Sequence, residues 1–187
     1  MIAAAIPWSA VTNHFPLMLT DVTARLEMCL LANLNALVLD YVTRQKIGGV
    51  TLNFFIVNQL PVFGPDRYSD KCPWDKRQTL ERWISERVLK LTCTAEDMQP
   101  LAEAAGFDPP VHPWKPEERA RLLAELDAAY FLLYGLKRDD VEYILSTFTG
   151  TSQPDESTGQ LIQTDTAILE TYDRLSERMN STRASED

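Results

Sequence analysis

The chain lacks the features that would place it in a membrane or outside the cell. No apolar run approaches the roughly 18 residues that a transmembrane helix needs. The apolar first ten residues, MIAAAIPWSA, contain none of the basic residues that open a signal peptide. The three cysteines form no Cys-x-x-Cys pair, which favours reduced thiols over a disulfide framework or a zinc site. We therefore expect a cytoplasmic protein with no membrane partner.

Catalytic motifs are also scarce. The sequence has two histidines, His14 and His112, and neither stands in a motif that would make it a catalytic base. A Pro65-Asp66 pair could begin a magnesium-dependent nuclease motif, but no Asp-x-Lys or Glu-x-Lys follows to complete it. From the residues alone we expect no catalytic side chain and no metal ligand in this chain.

The second half of the chain has far fewer basic residues than acidic ones. The net charge is −9. Residues 1–100 carry ten basic and ten acidic side chains, whereas residues 101–187 carry eight basic and seventeen acidic ones. Because phosphate contact needs cations, only the neutral first half is expected to face a nucleic acid. The acidic half is expected to face solvent or a basic partner surface.

What the chain does contain is helical periodicity. Its apolar spacing predicts a mainly α (α+β) fold, with a small β element near the N-terminus and a C-terminal helical hairpin. A Thr20-Asp21 cap is predicted to open a first helix, which is one long helix or two with a break near Asn33, and Thr94 is predicted to cap a later one. The predicted strands are 2–6 and 51–57, and the predicted helices are 22–46, 79–91, 94–105, 116–134, 138–148 and 164–179.

Three stretches resemble, in the same order, one family of proteins. They are LNALVLDYVTRQKIGGVTLNFFIVNQLPV (34–62), CPWDKRQTLERWISERVLKLTCTAEDMQPLAEAAGF (72–107) and WKPEERARLLAELDAAYFLLYGLKRDDVEYIL (114–145). They are similar to the C-terminal target-recognition and helical region of large restriction–modification N6-adenine DNA methyltransferases. The resemblance divides the chain into 1–66, a partial target-recognition-like region; 67–150, a helical domain with the hairpin 116–148; and 151–187, a mobile linker with a terminal helix.

The resemblance also implies where the chemistry lies. The family's S-adenosylmethionine loop and catalytic motif are expected in an upstream methyltransferase domain, so this chain is expected to bind no cofactor and to hold no catalytic residue. The Asp108-Pro109-Pro110-Val111 stretch imitates the catalytic tetrapeptide, but Val111 replaces the aromatic residue that stacks on a flipped adenine. A linker between helices is the favoured interpretation of this stretch.

Double-stranded DNA is the partner that the resemblance implies, and five residues are the candidates for contact with it. They are Arg44, Lys46, Thr51, Asn53 and Gln59. Two cations at a helix end beside a glycine pair can approach a phosphate, and an amide can pair with an adenine edge. The alternative is that the cations only solvate the helix end and that Asn53 satisfies a turn.

A second group of cations, at positions 71, 76, 77 and 82, stands beside Trp74 and Tyr68. Aromatic residues among cations suit nucleic acid. Acidic residues interleave with these cations, however, so an ion-paired surface loop is the favoured interpretation.

The expected function is therefore DNA recognition. The chain would be the accessory C-terminal portion of an S-adenosylmethionine-dependent adenine-specific methyltransferase, in a restriction–modification or phage-defence system. The alternative is a helical protein–protein interaction module that does not bind DNA. If an upstream domain is missing, apolar residues near the N-terminus (Ile2, Ile6, Phe15 and Leu17) are expected to be exposed or covered by that domain or a second copy.

Overall fold

The computed structural model describes residues 2–12, 16–49, 52–148 and 164–183. Within these ranges the chain is mainly helical with one small antiparallel hairpin, which confirms the predicted fold class. The helices are α1 (Ala24–Asn35), α2 (Leu37–Lys46), α3 (Phe54–Val57), α4 (Pro65–Tyr68), α5 (Leu80–Thr92), α6 (Gln99–Ala104), α7 (Pro116–Leu133), α8 (Arg138–Ser146) and α9 (Thr164–Arg183). The strands are β1 (Lys71–Cys72) and β2 (Asp75–Thr79), and a 3₁₀ turn occupies Glu96–Met98.

The β-structure lies elsewhere than the sequence pattern predicts. Residues 2–6 form no strand, and the stretch predicted as the strand 51–57 contains the single helical turn α3. The Asn53 carbonyl accepts hydrogen bonds from the N–H groups of Ile56 (2.9 Å) and Val57 (3.2 Å), so the turn satisfies its own backbone. A short apolar run cannot distinguish a strand from a helical turn by periodicity. Thr51 lies outside the described residues.

The first long helical segment breaks at Ala36, three residues after the predicted position. Ala36 has extended backbone angles (φ −62°, ψ 136°), and the axes of α1 and α2 diverge by 57°. Thr23, rather than Thr20-Asp21, caps α1 by accepting a hydrogen bond from the Leu26 N–H. Asn33 lies within α1, and its side chain is fully buried.

Helix boundaries further along the chain follow local chemistry. Thr79 caps α5 as expected, and Gly135 ends α7 with a left-handed φ of 73°. The predicted cap at Thr94 is wrong, because the 3₁₀ turn begins after Ala95 and α6 is a short helix behind it. The last helix, α9, continues to Arg183, beyond the expected end at residue 179.

One hydrophobic core joins residues from Met28 in α1 to Leu175 in α9. Within it, α1 packs mainly on α5, and α7 packs mainly on α9. The consecutive helices α7 and α8 occur as predicted, but α8 packs against α9 and α2. Tyr130 and Phe131 on α7 are fully buried at the centre of this arrangement. The division of the chain into three segments stays a prediction.

In the described part of the chain, no single helix has both the length and the apolar character needed to cross a membrane. Only the bent pair α1 and α2 meets that test together, on length and composition alone.

Candidate functional site

The predicted DNA-contact cations lie at the C-terminal end of α2. Arg44 is exposed, but its Nε donates a hydrogen bond to Asp40 Oδ2 at 2.9 Å, and its guanidinium lies 4.6 Å from the centre of the Phe148 ring. Lys46 is exposed at the last position of the helix. Arg44 is therefore paired with Asp40 and stacked on Phe148, whereas Lys46 is exposed at the surface.

The predicted base-contact residues are exposed around α3. Asn53 precedes the helix without capping it through its side chain. Gln59 donates from Nε2 to the Phe55 carbonyl at 2.9 Å, a local contact within the same turn. The role of these side chains, and of Thr51, in DNA contact stays a prediction.

Ion pairs dominate the second cationic group, as its interleaved charges predict. Arg77 contacts Asp75 at 2.9 Å and Arg82 contacts Glu86 at 2.8 Å. Hydrogen bonds from Arg77 and Gln78 lower the pKa of Asp75 to about 2. Beside these pairs is a polar cleft of about 340 Å³, lined by Arg67, Asp70, Lys71, Pro73, Lys76 and Met179.

A buried polar network surrounds Asn33, and the sequence analysis did not predict it. Asn33 is fully buried; its Nδ2 donates to Tyr134 Oη at 2.9 Å, and its Oδ1 accepts from the Phe63 N–H at 3.0 Å. Tyr134 in turn donates to the Pro61 carbonyl at 2.6 Å. Asn33 therefore fixes the loop after α3 against α1 and α7, which is a structural role.

A buried ion pair joins α5 to α7. Arg87 Nε donates to Glu125 Oε2 at 2.8 Å, and Arg121 Nη1 donates to Glu125 Oε1 at 3.0 Å. The Arg87 guanidinium also stacks 3.4 Å from the centre of the Trp83 ring. Burial lowers the pKa of Arg87, and the nearby Glu125 carboxylate acts in the opposite direction. Because every charge in the cluster is paired, it stabilises the fold and is not a candidate ligand site.

An apolar cavity of about 550 Å³ lies where the start of the chain meets α1, α2, α5 and α7. Asp127 on α7 lines this cavity and accepts a hydrogen bond from the Leu37 N–H at 2.8 Å through Oδ1, so it caps α2 across the break. Burial raises the pKa of Asp127 to about 7, and the Leu37 N–H opposes that rise. Asp127 is thus the acidic group of the cavity whose charge changes near neutral pH.

We expect Asp127 to make the fold less stable as pH rises. The folded chain holds a proton on Asp127 between the ordinary pKa of 3.8 and about 7, whereas the unfolded chain has lost it. The Asp127 contribution to the free energy of unfolding therefore falls through that window and is constant above it. Asp127→Asn should remove this fall and increase stability at pH 8 by about 1–3 kcal/mol. Urea unfolding of the wild type and of Asp127→Asn at pH 5 and at pH 8 measures the difference between their free energies of unfolding. A difference of the same size at the two pH values would contradict the assignment.

The N-terminal segment, defined here as residues 2–12 and 16–22, presents apolar side chains to solvent. Trp8 is 99% exposed, Ile2 94% and Leu19 81%, and Ile6 and Leu17 are about half exposed. Some residues of the segment are nevertheless attached to the helices: the Ala3 N–H and carbonyl both bond to the Asn35 side chain at 2.9 Å, and Ala5 packs against the core. The expected exposure of Ile2, Ile6 and Leu17 is confirmed, and Phe15 lies outside the described residues.

Two further sequence candidates, His112 and Asp108, lie in the loop between α6 and α7. His112 is partly buried, with Nε2 3.3 Å from Glu118 Oε2, and Asp108 is exposed in the loop between α6 and α7. Within the described residues, no group of three or more His, Cys, Asp or Glu side chains is placed to hold a metal ion. His14 lies outside these residues.

Comparison of the chain with protein-family models, with curated proteins and with solved structures gave no match. The likeness to adenine methyltransferases therefore depends on the three sequence stretches alone. In the structure these stretches run through α2 and α3, from β1 to the end of α6, and through α7 and α8.

Proposed function

We propose that the chain is a helical protein-interaction module that docks through its N-terminal segment on an adenine-specific DNA methyltransferase domain. The observation that carries this proposal is the exposure of Trp8, Leu19 and Ile2 in one segment. Contiguous exposed apolar side chains mark interaction surfaces, and tryptophan is enriched where partners bind tightly. The three sequence stretches supply the choice of partner.

The composition of the segment supports a protein partner. Asp21 is the one charged side chain between residues 2 and 22, so the segment offers no cation for a phosphate. Its attachment through Ala3 and Asn35 holds one end on the helical body. Trp8 and Leu19 stay exposed although the segment is attached to the helical body, and such an apolar chain suits an apolar groove on a partner surface.

A binding titration with the purified methyltransferase domain encoded in the same genome tests this docking. The double variant Trp8→Ser/Leu19→Ser should weaken the complex by about tenfold or more, because two large side chains no longer leave water. Trp114→Ser is the matched control, since Trp114 is also exposed (63%) but lies outside the segment. Equal affinity of the wild type and the double variant would contradict the proposal.

DNA recognition is the second candidate, and the exposed Lys46 and Lys71 favour it. The structure also sets a limit on its strength, because Arg44, Arg77 and Arg82 are all ion-paired with acidic neighbours. Any DNA contact would then be made mainly by the lysines, with the methyltransferase domain supplying further contacts.

We expect Arg44→Ala/Lys46→Ala to weaken DNA binding uniformly across sequences if the end of α2 contacts phosphates. The loss should reduce the magnitude of the salt slope by about 1 if Lys46 alone contacts a phosphate, and by about 2 if Arg44 leaves Asp40 to contact one as well. Folding should hold, since such charges contribute about 0.3–1 kcal/mol each. Fluorescence anisotropy with a labelled duplex at several salt concentrations measures both quantities. An unchanged slope would move the DNA-facing surface to the cleft around Lys71.

A further inference from the structure

The cavity beside the α1–α2 break has the size and lining of a small-molecule site. Its volume of about 550 Å³ lies within the usual range of about 300–1,000 Å³ for ligand pockets. Most of its wall is aliphatic, with Leu31, Ala32, Val88, Leu91 and Leu126 among the lining residues. An apolar ligand body would therefore be well accommodated there.

Three charged side chains line the same cavity, and two of them, Asp40 and Arg119, contact other groups of the chain. Asp40 pairs with Arg44 at 2.9 Å. Arg119 donates to the Leu91 carbonyl at 2.7 Å and stacks 3.7 Å from the centre of the Trp114 ring.

Asp127 is different from these two residues. Its partner among the described residues is the Leu37 N–H on Oδ1, and no cation of that part of the chain pairs with it. A half-buried carboxylate without a counter-charge is costly in an apolar setting, so a bound cation would relieve that cost.

We infer that this cavity binds a small amphiphilic amine, with its ammonium group on the Asp127 carboxylate and its apolar body against α1, α5 and α7. Asp40 is neutralised by Arg44, and Arg119 is held on the Leu91 carbonyl and the Trp114 ring, so selection of a cation over an anion depends on the Asp127 carboxylate. A neutral ligand of the same shape would fill the cavity but leave Asp127 without a counter-charge. Residues 2–5 of the docking segment also line this cavity, so amine binding is tested on the chain without a partner.

Binding of 2-phenylethylamine by the full chain at pH 7.5, followed by isothermal titration calorimetry, tests the inference. The neutral 2-phenylethanol and the anionic 3-phenylpropionate are the comparison probes. Asp127→Asn keeps an oxygen that accepts from the Leu37 N–H but removes the charge. Asp97→Asn removes the same charge from an exposed position outside the cavity.

The wild type and Asp97→Asn should bind the amine about tenfold more tightly than the alcohol, and the carboxylate more weakly than both. Asp127→Asn should bind the amine and the alcohol with similar affinity. Leu123→Trp, which narrows the cavity from the exposed side of α7, should weaken both ligands. Equal binding of the amine by the wild type and Asp127→Asn, or no amine binding by the wild type, would overturn the inference.

Discussion

Replacing Glu125 with alanine is expected to cost about 3–5 kcal/mol of folding free energy, the largest single effect that the structure predicts. The variant leaves the Arg87 guanidinium, whose side chain is only 21% exposed between α5 and α7, without the Glu125 carboxylate, and the Trp83 ring covers one face of it. Urea unfolding followed by circular dichroism measures the loss as a lower midpoint.

Two controls separate the lost charge pair from a general effect of truncation. Arg87→Met/Glu125→Leu replaces both partners with apolar side chains of similar volume and should lose much less than Glu125→Ala. Glu86→Ala breaks the exposed pair with Arg82 on the same helix and should cost less than about 1 kcal/mol. If Glu125→Ala lowered the free energy of unfolding by no more than Glu86→Ala, the pair of Arg87 and Glu125 would contribute no stability.

Asn33→Ala is expected to destabilise the fold by about 2–4 kcal/mol. The substitution removes the acceptor of the partly buried Phe63 N–H and a donor to Tyr134 Oη, and an unpaired buried polar group costs about 1–3 kcal/mol. The loop after α3 should also become more accessible, because Asn33 holds it at Phe63. Hydrogen exchange at the Phe63 amide, together with urea unfolding, measures both effects.

Asn58→Ala is the matched control for Asn33→Ala. Asn58 is exposed at the end of α3, and its replacement should change stability by no more than about 0.5 kcal/mol. Unchanged exchange at Phe63 in Asn33→Ala would show that the loop is held by other contacts.

The helices were predictable where an apolar stripe and a local end signal agreed. Thr79 and Gly135 are such signals, and α5 and α7 begin and end close to the expected positions. The prediction of a strand at 51–57 was wrong, since Phe54–Val57 form a helical turn, because periodicity does not distinguish a strand from a helical turn in a short apolar run. The hairpin β1–β2 was missed because its mostly polar strands, KC and DKRQT, carry no alternating apolar pattern.

The candidate sites depended more on tertiary structure than on local sequence. Asp40 and Arg44 have the i, i+4 spacing of a helical ion pair, so this pair could have been predicted from the sequence. The pair changes the expected role of Arg44. Asp127 and Leu37 are distant in sequence, so their contact and the cavity beside it require the packed helices. Asn33 offered one signal, a polar side chain on the apolar face of a helix.

The central claim, that the N-terminal segment docks on a methyltransferase domain, is tested most directly by ¹⁹F NMR of this chain labelled with 5-fluorotryptophan. The chain has four tryptophans, and Trp8→Phe assigns the Trp8 resonance by its loss. Because only this chain carries fluorine, the tryptophans of the added domain are silent. We expect the Trp8 resonance to shift and to become protected from a soluble paramagnetic reagent when the domain is added. The resonances of Trp74 and Trp83 should change little, because these side chains are already buried. A Trp8 resonance that keeps its shift and its full exposure to the reagent at saturating domain would contradict it.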